Sequence, residues 1–185
     1  MKTLIIFGHS NWAESRVSAN WLKEFTADGS FTIHKLSEQL VNGRYNIEAE
    51  RKIVEAHDRI VMVFPVIWFG APAIVQQWLE EVFLYGWAYS ADYGPAALKG
   101  KDFVLALTAG GAAEGYRIAG MGRNSYPLES YYINWQATAS MTGMNFHPMY
   151  CLYATMTKQP ADFTAAAQKL IGYLKADHLP PVGAL

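Results

Sequence analysis

Leu4-Ile5-Ile6-Phe7 halts at Gly8-His9-Ser10, and Arg59-Ile60-Val61-Met62-Val63-Phe64 halts just as abruptly at Pro65. A continuous apolar core without polar alternation suits a strand buried on both faces, as in a parallel sheet. Phe103-Val104-Leu105-Ala106-Leu107-Thr108, which stops before Gly110-Gly111, is a third such run. Phe31-Thr32-Ile33-His34-Lys35-Leu36 alternates instead, like a strand nearer an edge, and 145–153 reads as a last strand.

Helical spacing fills the intervals. Val17, Trp21, Leu22 and Phe25 recur on one helical face, and 46–57 is charged and helix-prone. A helix is expected from about Pro72, a good first-turn residue, through Trp78, Leu79, Val82 and Phe83. Another spans 126–143 between Pro127 and Gly143. The final helix is expected over 162–177, capped by Asp162 or Thr164 and ended by Pro180-Pro181 before an extended tail. Strands and helices alternate about five times, with no repeat, linker or low-complexity stretch. The expectation is a single α/β domain over 1–185: a doubly wound, parallel five-stranded sheet with helices on both faces.

Composition narrows the function. The 185 residues carry a net charge of -1, so no basic excess points to nucleic acid or to an anionic membrane surface. Cys151 is alone, which rules out an intramolecular disulfide and suits a cytoplasmic protein. The opening segment is expected not to be a secretory leader, and no apolar stretch reaches membrane-spanning length. The five histidines form no metal-binding pattern, so no metal is expected. Neither G-x-G-x-x-G nor a phosphate-binding G-x-x-x-x-G-K-[ST] occurs, which disfavours a built-in dinucleotide site or an ATPase. Gly8-His9-Ser10 resembles the start of a nucleophile elbow, but Trp12 stands where the closing Gly belongs, so a serine hydrolase is an outsider.

Ligands of doubly wound sheets bind at the carboxyl ends of the strands. The loops that matter are therefore 9–18, 65–70 and 108–123. His9, Ser15 and Ser18 flank the opening of the first helix, where unpaired N–H groups suit a phosphate, although ordinary capping accounts equally well for the serines. Trp68 and Phe69 leave the core where aromatics can flank a planar ring, or simply pack under the next helix. Thr108-Ala109-Gly110-Gly111 permits close backbone approach to a ligand, or is a simple turn.

Taken together, 64–73 (FPVIWFGAPA), 78–83 (WLEEVF), 86–89 (GWAY), 107–111 (LTAGG) with Tyr116, and 135–139 (WQATA) with Gly143 resemble the NAD(P)H:quinone oxidoreductases, the DT-diaphorase group. The likeness runs from about residue 3 to 155 and is nearest to small bacterial members, including the flavoproteins ancillary to potassium-efflux systems. The resemblance implies a flavodoxin-like fold with strand order 2-1-3-4-5, a non-covalent flavin and a homodimer with sites at the interface. By the same resemblance, His9 and the stretch Ser15, Arg16, Val17 and Ser18 hold the flavin phosphate. Val66, Ile67, Trp68 and Phe69 line its ring, and Thr108, Ala109, Gly110 and Gly111 bond its polar edge. Tyr116 stands over the reacting face as the catalytic residue. Tyr89 lines the acceptor pocket, and Arg123 is a candidate anion contact for NAD(P)H or the acceptor.

There are departures from the pattern. Ser10 stands where Pro is common, Ser18 where Asn is common, and Ala109 replaces a frequent Thr. The His that the larger enzymes assign to proton transfer is Gly122 here, and their C-terminal extension is missing, which favours FMN over FAD. The implied activity is two-electron hydride transfer from NAD(P)H to a quinone. The rivals are azo or nitro reduction by the same flavin, and a flavin-binding regulatory partner of a membrane transporter. The segments 85–93 and 126–143 are apolar enough to expect a homodimer.

Overall fold

In the computed structural model, which describes residues 1–91, 97–117 and 126–179, the three continuous apolar runs are parallel neighbours. They form β1 (Thr3–Phe7), β3 (Arg59–Pro65) and β4 (Asp102–Thr108), with β2 (Thr32–Lys35) at the edge. The order is β2-β1-β3-β4-β5, as the resemblance implies. Seven residues of β3 pair with β4 and five residues of β1 pair with β3, all in parallel.

The last strand is not continuous. It splits into β5 (Asn145–Phe146) and β6 (Tyr150–Leu152), both parallel to β4. The partner of Phe103 is Phe146, but the partner of Ala106 is Tyr150, so one extra residue bulges out between them. Pro148 explains the break, because it has no N–H to give to a ladder.

Helices cover both faces. One layer comprises α1 (Val17–Asp28) and α6 (Pro160–Leu174); the other comprises the short α2 (Leu36–Gln39), α3 (Ile47–Glu55), α4 (Ala73–Val82) and α5 (Ile133–Thr142). Successive strand residues feed opposite layers. Ile5 and Phe7 join Trp21, Phe25 and Leu170, whereas Leu4 and Ile6 join Trp78, Trp135 and Val54. Every one of these side chains is buried.

Two expected helix starts move. The final helix begins at Pro160, and its cap is Gln159, whose N–H donates to Asp162 at 2.8 Å in a reciprocal capping box. Thr164 bonds Asn20 on α1 instead of capping. The expected 126–143 helix opens as a 3₁₀ turn over Leu128–Tyr132 and becomes α-helical at Ile133, with Gly143 left-handed as its stop. The expected Pro180-Pro181 stop lies outside the described residues.

At the amino ends of the strands, Arg59 is fully buried and its guanidinium donates to Asp102 and to the carbonyls of Leu174 and Ala176. Burial raises the Asp102 carboxyl, but the hydrogen bonds from His147 and Arg59 outweigh it and hold the group below the usual carboxylate range.

At the opposite end, Gly8 lets β1 leave the sheet beneath α4. A Cβ at Gly8 would lie 2.0 Å from Val75 Cγ2, and the branched Val75 has little freedom to turn away. Gly8→Ala is expected to cost about 1–3 kcal/mol of stability. Urea unfolding measures this cost, and it should shrink in a Val75→Ala background.

Candidate functional site

The carboxyl ends of β1, β3 and β4 open on one rim. The rim is knitted by Gly8 N–H to the Val63 carbonyl at 2.9 Å and Val66 N–H to the Thr108 carbonyl at 2.8 Å. On the α1 side lies a cavity of about 240 Å³ lined by His9, Ser15, Ser18, Thr108, Thr155 and Met156, among others. Arg16, Val17, Glu14 and Pro65 complete its wall.

The N-terminus of α1 faces this cavity without a side-chain cap. The Ala19 N–H donates to Ser15 Oγ at 3.1 Å, so Ser15 braces the first turn. The N–H groups of Val17 and Ser18 precede the first intrahelical bond and are available to an anion. The Asn11 N–H donates to His9 Nδ1 at 3.1 Å, and burial lowers the His9 pKa. A neutral ring accepting at Nδ1 carries its proton on Nε2, a donor. The Arg16 guanidinium turns away, donating to the Lys158 carbonyl and lying over the Phe163 ring. These contacts tie the start of α1 to the start of α6.

The other end of the rim is aromatic. Ile67 and Gly70 exchange backbone hydrogen bonds of 3.0 and 2.9 Å across a two-residue turn. That turn places Trp68 at φ 47° and Phe69 at φ 63°. Both central residues in the left-handed region is a geometry that normally selects Asn-Gly, and each L-residue there costs roughly 1–2 kcal/mol. The turn presents Trp68 to solvent at 93% exposure, while Phe69 stacks on Tyr131 at 4.9 Å and meets Tyr116 edge-on at 6.5 Å. Tyr132 fixes the turn from below, its hydroxyl donating to the Gly70 carbonyl at 3.1 Å. Ile67 is half exposed, and Val66 packs against the core.

Between the two ends runs 108–111. Ala109 does not offer its N–H to a ligand. It donates to the Leu152 carbonyl at 2.9 Å, and the Ala109 carbonyl accepts from Thr155 at 3.1 Å. The N–H groups of Gly110 and Gly111 make no backbone bond among the described residues. A Cβ at Gly110 would lie 3.2 Å from Met156, and one at Gly111 would lie 3.3 Å from the Tyr116 ring. Side chains at these positions would fill the cradle. Burial raises the Tyr116 pKa above that of an ordinary phenol.

His9, Ser15, Val17, Ser18, Thr108, Gly110, Gly111, Phe69 and Tyr116 thus converge on one rim. Tyr89 sits elsewhere: it packs edge-on against Tyr85 and lines a separate 260 Å³ hollow between α4 and α5, with Leu79, Phe83 and Met141. A turn closed by Gly86, at φ 85°, holds it there. Arg123 lies outside the described residues. Thr155 and Met156 were not anticipated, although the rule that sites gather at strand carboxyl ends applies equally to the last strand.

The flavodoxin-like fold family model matches residues 1–174. The chain belongs to the flavodoxin-like fold family. A Bacillus subtilis (strain 168) member described as the uncharacterized NAD(P)H oxidoreductase YrkL is 33% identical over 96% of this chain and all of its own. A crystal structure described as a thermophilic tryptophan halogenase from Streptomycin violaceusniger is 31% identical with TM-score 0.86, covering 95% of this chain and 99% of its own. General stress protein 14 from Treponema denticola, solved in complex with FMN, is also 31% identical, with TM-score 0.85 and coverage of 94% and 98%. An NADPH-quinone reductase from P. pentosaceus is 25% identical, with TM-score 0.79 and coverage of 92% and 97%. No helix among the described residues is long and apolar enough to cross a membrane.

In this flavodoxin-like chain, the left-handed turn trades stability for the presentation of Trp68. Asn tolerates that conformation and Trp68 buries little surface, so Trp68→Asn is expected to raise the melting temperature of the cofactor-free protein by about 1–3 °C. A scanning melt that shows no rise would mean that the turn carries no strain.

Proposed function

We propose that this protein is an NAD(P)H-dependent oxidoreductase that holds FMN and reduces quinone-like acceptors. The observation that carries the reading is one rim that joins the uncapped N-terminus of α1, at its cavity, to the ring cluster of Phe69, Tyr116 and Tyr131 beside Gly110 and Gly111. That combination suits a ligand with a phosphate at one end and a flat ring at the other. The FMN complex of the Treponema denticola protein, the oxidoreductase description of YrkL and the quinone reductase from P. pentosaceus support it. Reduction is adopted over the halogenation named for one neighbour because YrkL and the P. pentosaceus protein are described as an oxidoreductase and a quinone reductase.

The residues fit FMN. His9, Ser15, Thr155 and the N–H groups of Arg16, Val17 and Ser18 hold the phosphate. Val66, Ile67, Trp68 and Phe69 line one side of the ring system, beside Thr108 and Ala109. The Gly110 and Gly111 N–H groups donate to its polar edge, where negative charge gathers on reduction. Bound there, FMN supplies two-electron hydride transfer between NAD(P)H and the acceptor. Tyr116, kept protonated by its raised pKa, would serve there as a hydrogen-bond donor to the bound ring. Arg123 contacts NAD(P)H or the acceptor.

Purified protein should be yellow and should release FMN on denaturation, as read by its visible spectrum and the mass of the released cofactor. A colourless protein that takes up neither FMN nor FAD would overturn the reading, whereas release of FAD alone would overturn only the choice of flavin.

The same reading includes a homodimer. Met141 in the α4–α5 hollow, Leu84 and Tyr85 after α4, and Ile133 at the start of α5 are all exposed, while Tyr132 and Trp135 are buried. A second copy covering this face brings its own Tyr89 toward the acceptor site of the first. Sedimentation at micromolar concentration should give twice the chain mass, and a monomer would count against the arrangement.

A further inference from the structure

The segment that follows β6 delivers two side chains to opposite ends of the rim, and the residue between them carries the strain of doing so. Residues two apart on a straight strand share a face, so Tyr153 and Thr155 would point the same way. They do not. Ala154 takes φ 56°, in the left-handed region that costs an L-residue about 1–2 kcal/mol. It is held there by its N–H donating to the Gly111 carbonyl at 2.8 Å. Beyond this step Thr155 lines the cavity at α1, whereas Tyr153 packs into the aromatic layer on the α4–α5 side.

In that layer Tyr153 meets Tyr116, with ring centroids 5.7 Å apart and planes at 55°. Tyr116 follows the short 3₁₀ turn Ala113–Gly115, so neither a helix nor a strand sets its ring orientation. Its neighbours do. Among the described residues, Phe69 meets the ring edge-on, Gly111 lies against the ring and hydroxyl, and Tyr153 packs against it at a tilt. Cys151, two residues back, packs against the same core cluster as Tyr153, and burial pushes its thiol up to about 12, so it stays protonated and is not a nucleophile.

We propose that Tyr153 is the positioning residue of Tyr116, holding the Tyr116 phenol in the one orientation from which its hydroxyl donates to the reacting face. This rests on the function proposed above and adds to it a residue that the 9–18, 65–70 and 108–123 loops do not contain. The left-handed step at Ala154 follows from it: the strain is what separates the brace for the ring end from the ligand at the phosphate end.

The test uses the FMN-loaded protein, reduced with NADPH and mixed with 1,4-benzoquinone in a stopped-flow instrument. Tyr153→Leu removes the brace and should slow reoxidation about tenfold, with FMN affinity and melting temperature near those of the unmodified protein. Tyr153→Phe keeps the ring and should stay within about twofold. In a Tyr116→Phe background, with no hydroxyl left to orient, Tyr153→Leu should add nothing. Should Tyr153→Leu fail to fold, Tyr153→Met removes the ring at similar length and is read the same way. Reoxidation at the unmodified rate in the ringless variant, or an equal loss with and without the Tyr116 hydroxyl, overturns the proposal. Failure of the functional reading looks different, because the unmodified protein would then bind no flavin at all.

Discussion

A strand buried on both faces must find every backbone partner in its neighbours, and this requirement organises the molecule. β3 meets it by pairing with β1 on one side and β4 on the other, in parallel. Parallel pairing sends all three chains out at the same end, where the loops starting at His9, Val66 and Ala109 become adjacent whatever their sequences. Alternation along the same strands supplies the two helix layers. The rim therefore inherits two characters. Its α1–α6 side ends in a helix N-terminus and hydroxyls, and its α4–α5 side ends in rings.

Departures from local rules cluster on this rim. Trp68, Phe69 and Ala154 occupy the left-handed region without being glycine, and Gly8 sits where a Cβ would collide with Val75. Strain of this kind persists only where surrounding contacts over-determine it. Those contacts are present: the Ile67–Gly70 backbone pair, the Tyr132 hydroxyl on Gly70, and the Ala154–Gly111 bond. At the far end of the sheet the logic is reversed. Arg59 is buried with its guanidinium bonded to Asp102 and to the carbonyls of Leu174 and Ala176, so its charge is paired.

Each of 108–111 has a different task, which residue type alone does not reveal. Thr108 lines the cavity and its carbonyl closes the β3–β4 ladder. Ala109 is spent on β6 and on Thr155. The N–H groups of Gly110 and Gly111 make no backbone bond among the described residues. The fourth wall, formed by Tyr153, Thr155 and Met156, depends on the bulge at Pro148 and the left-handed step at Ala154, which together aim the end of the last strand across the rim.

The sequence by itself determined the strands, the layers and the loops that gather. A run such as Leu4-Ile5-Ile6-Phe7 has no stable place other than a doubly covered parallel sheet, and burial is a local, residue-by-residue demand. It also marked His9, Ser15 and Phe69 through their positions just beyond such runs, whereas Tyr116 was singled out by the resemblance to the quinone oxidoreductases. Only the tertiary structure decided which polar groups remained available. Whether Ala109 or Gly110 keeps its N–H depends on Leu152, more than forty positions away, and whether Arg16 faces the cavity depends on Lys158 and Phe163. The same holds for the place of Tyr89 in a separate hollow and for the brace of Tyr153 on Tyr116. These are outcomes of competition among partners brought together by long-range pairing, and no window of neighbouring residues contains the competitors.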